Sequence, residues 1–303
     1  ERKTITDLNY INRATKGVYE LGSVFKTFTI AAGIDAGLIK PETEFLDLEK
    51  KLICGKNTIT EYDNKILSDL TAEEILIKSG NIGSVRIGQM LEIKGLKSFL
   101  EKIGVLNKID FDIEEVGQPI PFRWGKCKLA TASYGHGITT TPLQLTKAYG
   151  IISNGGFEIN PTLIKDKKEN KKKRLIKKKT SDAVNQILRK IVVEGTAKLA
   201  NVNGYEVGGK TGTANKSVKG GYSKKKINTF SSIFPTSNPK FALVVLMEET
   251  QISSDYIYEY RDGSEFKLKG SPRNTAAWTS VEVAGKIIEK IGPILATKYI
   301  EIN

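Results

Sequence analysis

Ser23 and Lys26 stand three residues apart, a hydroxyl and an amine at helical spacing. On a helix such a pair shares one face, about 5–6 Å apart. A serine hydroxyl becomes a competent nucleophile when a neighbouring base takes its proton, and a neutral lysine can be that base. Free lysine titrates at about 10.4, so the site must depress it, which burial and a second cation both do. Lys210, in the run Lys210-Thr211-Gly212-Thr213, can be that cation. Between the two lies Ser79-Gly80-Asn81. Its hydroxyl can relay a proton to a leaving amine, and its amide can hold a substrate backbone group. Lys210 and the Thr213 hydroxyl suit a substrate carboxylate, and Gly212 lets the backbone approach closely. The backbone N–H groups of Ser23 and Thr213 are candidates for an oxyanion hole.

Each piece alone is ordinary: a helix cap, a turn residue, a strand surface. Order removes the ambiguity. S-x-x-K occurs at Ser23, Ser223, Ser237 and Ser264, but S-x-N and K-T-G occur once each, and only Ser23 precedes both.

Stepping outward, the elements that must hold these residues are legible. Residues 23–37 read as a helix that ends at Gly37. Residues 71–78 open with a Thr71/Glu74 capping box, and Ser79 and Asn81 leave that helix into a Gly-flanked loop. Residues 95–103 and 181–193 read as helices, and 141–153 starts with a Thr141 cap and proline at the first turn. From residue 205 the texture changes. Residues 205–214, 227–234 and 241–249 read as strands of an antiparallel meander. Residues 215–226 and 235–240 read as turns. Residues 275–296 form an amphipathic helix able to cover the sheet. The expectation is an α+β fold: a mostly helical lobe over about 23–195, and a sheet lobe over about 200–303 with a covering helix.

The 303-residue chain, 39% hydrophobic and 27% charged, is ordinary globular material. No run of about 18 apolar residues is present, and no signal-peptide pattern opens it. Much of the net charge of +13 sits in residues 165–179, which hold ten Lys or Arg against two acids. Without interleaved aromatics this reads as a solvated connector rather than a nucleic-acid site. Cys54 and Cys127 make neither a disulfide framework nor a zinc spacing. The single His136, in Tyr134-Gly135-His136-Gly137, excludes multi-histidine metal sites and reads as structural or exposed. The tyrosines of 256–260 suit either an acyl site or a loop. Residues 204–211 spell a phosphate-loop pattern, but no buried strand precedes Gly204 and no helix-forming stretch follows Thr211.

The three motifs in this order resemble those of penicillin-binding proteins and serine β-lactamases. Nearly the whole chain resembles the transpeptidase domain of class B penicillin-binding proteins, most closely the FtsI-type division enzymes. The likeness is carried by residues 12–28, 78–88, 134–156, 207–214 and 275–296. It implies a penicillin-binding-protein-like fold in a single domain spanning 1–303, and a D,D-transpeptidase acting on peptidoglycan without metal or organic cofactor. Ser23 would attack a D-Ala-D-Ala bond of a stem peptide, with Lys26 and Ser79 aiding departure of D-Ala. Asn81, Lys210, Thr211, Gly212 and Thr213 would bind substrate. An amine of a second stem peptide would take the acyl group, and β-lactams would acylate Ser23. The likeness further implies a periplasmic domain of an inner-membrane-anchored protein, with divisome membrane proteins as partners. Family members also carry an upstream anchor, a non-catalytic module and the first strands of the sheet, so this chain reads as a fragment with one sheet edge exposed. Two departures touch no catalytic group: Leu21 stands where many relatives have proline, and Gly80 where many have serine. No Glu-x-x-Leu-Asn sequence lies between the second and third motifs, against a class A β-lactamase. A D,D-carboxypeptidase and a non-catalytic sensor or scaffold are the remaining alternatives.

Overall fold

A tight 3-10 turn, Gly22–Phe25, feeds directly into helix α1 (Lys26–Ala36), which Gly37 closes in the left-handed conformation. Every residue of α1 from Lys26 to Ile34 is buried. A helix buried on every side belongs at the centre of a fold, and α1 packs against three others introduced below. The computed structural model describes residues 10–55, 57–165, 173–218 and 220–299. Residues 166–172 of the lysine-rich run 165–179 therefore lie outside the described residues.

Four short strands follow α1: β1 (Glu44–Phe45), β2 (Lys51–Cys54), β3 (Asn57–Thr60) and β4 (Leu70–Thr71). They pair antiparallel as β1–β4 and β2–β3. Helix α2 (Ala72–Ile77) opens on the expected capping box, with the Glu74 amide donating to Thr71 Oγ1 and the Thr71 amide to Glu74 Oε2. Helix α3 spans Asn81–Lys102 and breaks at Glu92 (φ 56°). Then come α4 (Lys126–Ser133), α5 (Pro142–Ser153), capped by Thr141 and Gln144, and α6 (Lys178–Val193). Helices α2, α3 and α6 surround α1.

Strands β5 (Gly208–Val218), β6 (Gly221–Phe234) and β7 (Phe241–Glu248) form the antiparallel meander in that order. A small pair, β8 (Ile257–Glu259) and β9 (Lys267–Lys269), precedes the closing helix α7 (Ser280–Tyr299). Helices α5 and α7 both pack on β6 and β7. Ile227–Phe234 are buried at every position, so β6 is covered on both faces. Helices dominate through Val193, yet the core runs on into the sheet: Phe28 of α1 meets Tyr149 of α5 at 5.5 Å, and Phe230 and Ile233 of β6 join the same cluster. The α+β architecture is as expected, and β7 has no further strand on its outer side among the described residues.

Three expectations are corrected. Cys54 and Cys127 are bonded, with Cα atoms 5.3 Å apart; the fold brings β2 to the start of α4, a proximity that sequence separation does not report. Residues after Ser79 do not enter a loop, because Asn81 is the first residue of α3. Residues 215–226 are not one long turn: β5 runs to Val218 and β6 starts at Gly221, with pairing continued across a bulge near Asn215 and Ser217.

Candidate active site

The turn Gly22–Phe25 leaves Ser23 half-buried at the surface of the core and drops Lys26 wholly inside it. The Lys26 amine donates to Ser79 O at 2.5 Å, Ser79 Oγ at 3.1 Å and Asn81 Oδ1 at 2.7 Å. Lys210, equally buried on β5, donates to Ser79 Oγ at 2.9 Å and to Thr211 O at 3.0 Å. One hydroxyl is thus held between two buried amines. Ser79 itself takes a left-handed backbone (φ 60°), a conformation unusual outside glycine and common at functional turns.

Burial pulls the Lys26 pKa down to about 7, against an opposing pull from the Glu61 carboxylate. Burial also holds Lys210 well below the ordinary lysine range, and the neighbouring Lys26 charge adds to that. Two amines sharing one desolvated hydroxyl cannot both stay charged cheaply. The pair can therefore supply a neutral amine near neutral pH, which is what a lysine base needs. Lys26 turns its hydrogen bonds to the second motif rather than to the Ser23 hydroxyl. Such catalytic contacts are often long without substrate.

The third motif meets the first through a missing side chain. A Cβ on Gly212 would lie 2.2 Å from Leu21 O and 3.1 Å from Val24 Cγ1, so only glycine lets β5 lie against the nucleophile turn. Thr213 O lies 3.2 Å from where a Cβ on Gly22 would be, which sets the Ser23 and Thr213 backbones side by side. Thr211 and Thr213 share the other face of β5 by strand alternation. Their hydroxyls are partnered: Thr211 Oγ1 lies 2.8 Å from Thr196 Oγ1, and Thr213 Oγ1 accepts from the Ala276 amide at 2.9 Å. A groove of about 410 Å³, lined in part by Tyr62, Lys78, Glu194 and Thr196, opens beside this strand.

Sequence reasoning missed three contributors. Glu61 accepts the amides of Asn81 (2.6 Å) and Ile82 (2.8 Å), placing a carboxylate on the N-terminus of α3. Thr60 O accepts from Asn81 Nδ2 at 2.7 Å. The end of the β2–β3 hairpin therefore clamps the second motif, and the Asn81 amide binds Lys26 through its oxygen and Thr60 O through one of its two N–H groups. Thr196 is the third. None of these carries a local signal, because each acts on a segment remote in sequence. The tyrosines of 256–260 brace α7: Tyr256 donates to Glu282 at 2.8 Å, and Tyr258 packs edge-on to Trp278. Lys210 sits within a strand rather than before a helix, so the phosphate-loop pattern lacks its context.

Residues 1–264 match the family described as the penicillin binding protein transpeptidase domain. The chain is 29% identical to the probable peptidoglycan D,D-transpeptidase FtsI of Caulobacter vibrioides, over 97% of this chain and 49% of that protein. It is 32% identical to the probable peptidoglycan D,D-transpeptidase PenA of Neisseria flavescens, over 81% of this chain and 62% of that one. It thus spans about half to three-fifths of the length of these curated relatives. Among solved structures it resembles the apo transpeptidase domain of penicillin-binding protein 3 from Burkholderia pseudomallei. There the TM-score is 0.78 at 25% identity, covering 93% of this chain and 82% of that one.

Proposed function

The chain belongs to the penicillin-binding protein transpeptidase family, and from that premise we propose that it is the transpeptidase domain, residues 1–303, of a septal peptidoglycan D,D-transpeptidase. The protein would be anchored in the inner membrane, act in the periplasm beside divisome membrane proteins and be acylated by β-lactams. The observation that carries this is the Ser79 hydroxyl held between buried Lys26 and Lys210, next to the accessible Ser23.

In this reading Lys26, neutral in part because burial brings it to about 7, removes the Ser23 proton. A positioned base of this kind contributes roughly 10²–10⁴ in rate. The Ser23 oxygen attacks the carbonyl of the penultimate D-alanine, and the amides of Ser23 and Thr213 receive the developing oxyanion. Ser79 passes a proton from the lysine pair to the departing amine of the terminal D-alanine. That residue's carboxylate faces the hydroxyls of Thr211 and Thr213, and the Lys210 amine attracts it from the opposite face of β5. An amine from a second stem peptide then displaces Ser23 and forms the cross-link.

The test is incubation with a fluorescent penicillin, followed by mass-spectrometric mapping of the adduct and a Ser23→Ala control. A stable adduct on Ser23, absent from the control, is expected. A folded protein that forms none contradicts the reading.

A further inference from the structure

Beside the turn that carries Ser23 lies a second cluster of ionisable groups that the acylation chemistry does not use. Glu20, three residues before Ser23, keeps only 11% of its side chain exposed. Its Oε2 accepts from the Gly137 amide at 2.8 Å, and its Oε1 from the Tyr222 hydroxyl at 2.8 Å. His136 Nδ1 stands 3.9 Å from Oε2, and Lys128, which donates to Gly137 O, is a second cation in electrostatic contact with Glu20. The imidazole lies between two phenol rings, parallel to Tyr134 at 6.0 Å and tilted against Tyr222 at 5.1 Å, with half its surface open. The loop is pressed onto the turn: a Cβ on Gly135 would lie 1.9 Å from Gly22 O.

We infer that Glu20, His136, Tyr134 and Tyr222 form the receiving site for the acceptor amine, with His136 as the base that makes it nucleophilic. The inference rests on the transpeptidase reading above. A carboxylate flanked by aromatic faces attracts an ammonium and repels an anion, the opposite of the Lys26–Lys210 side. An amine arrives protonated and must lose a proton before it can attack an ester. Imidazole is the side chain most often used as a general base. The nitrogen of His136 turned from Glu20 takes one proton from the ammonium, and Glu20 stabilises the resulting imidazolium. The freed amine attacks the acyl carbon, a C–N bond forms, and the bond from that carbon to Ser23 Oγ breaks. The second amine proton passes to Ser23 Oγ through Lys26 and Ser79. Burial and the Glu20 carboxylate both raise the Tyr134 and Tyr222 pKa values, so these phenols stay neutral throughout.

The experiment follows the acyl group. Wild type, His136→Gln and Glu20→Gln are given an N-acyl-D-alanyl thioester as donor and D-alaninamide as acceptor. The ratio of amide to hydrolysed acid is read by chromatography, and penicillin acylation of Ser23 is timed in parallel. His136→Gln is expected to lower the amide-to-acid ratio about tenfold or more, while acylation stays within about twofold of wild type. Glu20→Gln is expected to raise the acceptor concentration needed for half-maximal transfer, and it carries the test if His136→Gln does not fold. An unchanged ratio in the folded variants overturns the inference, whatever happens to acylation. A wild type that is acylated yet yields only acid overturns it while sparing the serine chemistry. A wild type never acylated overturns both.

Discussion

On one flank of the nucleophile turn, Glu61 gives both carboxylate oxygens to the amides that open α3, and Asn81 and Ser79 are thereby fixed against two buried lysines. On the other flank, Glu20 takes one amide and one phenol and looks onto a half-open imidazole. Both carboxylates fasten remote segments together, Glu61 the β2–β3 hairpin to α3 and Glu20 the chain before Ser23 to the Gly137 loop. They differ in what surrounds them. The Glu61 flank is desolvated and rich in amines, so it lowers lysine pKa values and suits a substrate carboxylate. The Glu20 flank is aromatic, with a carboxylate among the rings of His136 and Tyr222, so it suits an ammonium. Two halves of a transfer reaction need those opposite environments within reach of one serine.

The contrast breaks most completely at the Ser79 flank. Lys26→Ala should slow penicillin acylation by roughly 10²–10⁴, measured by stopped-time fluorescence of the adduct. A variant within tenfold of wild type would place the base elsewhere.

The next test concerns the hairpin that carries Thr60 and Glu61. The Cys54–Cys127 bond closes a separation of 73 residues and ties β2 to α4. Its removal by Cys54→Ser, or by a dithiol, should cost about 2–4 kcal/mol of stability, read from denaturant melts. An unchanged midpoint would mean that the hairpin is held by its other contacts.

Gly212→Ala should cost about 1–3 kcal/mol through backbone overlap with Leu21 O. It should also slow acylation, because it lifts β5 from the turn. A variant with wild-type acylation and melting would show that the close approach is dispensable.

Glu61→Gln is the mildest and the most specific. Loss of the charged cap should cost about 1 kcal/mol. Glu61 favours the protonated Lys26, so its neutralisation should move the Lys26 pKa below about 7. The pH midpoint of acylation should then shift to the acid side. A shift to the alkaline side would reverse the assigned electrostatics.

The three motifs that the fold gathers at the candidate site, and the elements that carry them, were largely readable in the chain. The capping boxes at Thr71 and Thr141 are local, and so are the burial pattern of α1 and the strands around Phe230 and Val245. What was not readable is non-local. The glycine-rich start of α3 looks like a loop, yet Gly88 is there because a Cβ would lie 1.8 Å from Ser133 Oγ of α4. Its glycines serve helix packing. The lysines and glycines of 215–226 look like a turn, but an exposed hairpin tolerates polar residues along its length. Glu61 and Thr196 act on partners far along the chain, and the amides that Glu61 binds have no side-chain identity to betray them.

The central claim is that a lysine made neutral by burial activates Ser23. The most direct measurement is the second-order rate of penicillin acylation of the intact chain between pH 5 and 10. Acylation needs the unprotonated amine, so the rate should rise with pH through a midpoint near the Lys26 value of about 7 and then level off. A midpoint near the ordinary lysine value of about 10.4, or a flat profile, would contradict the account.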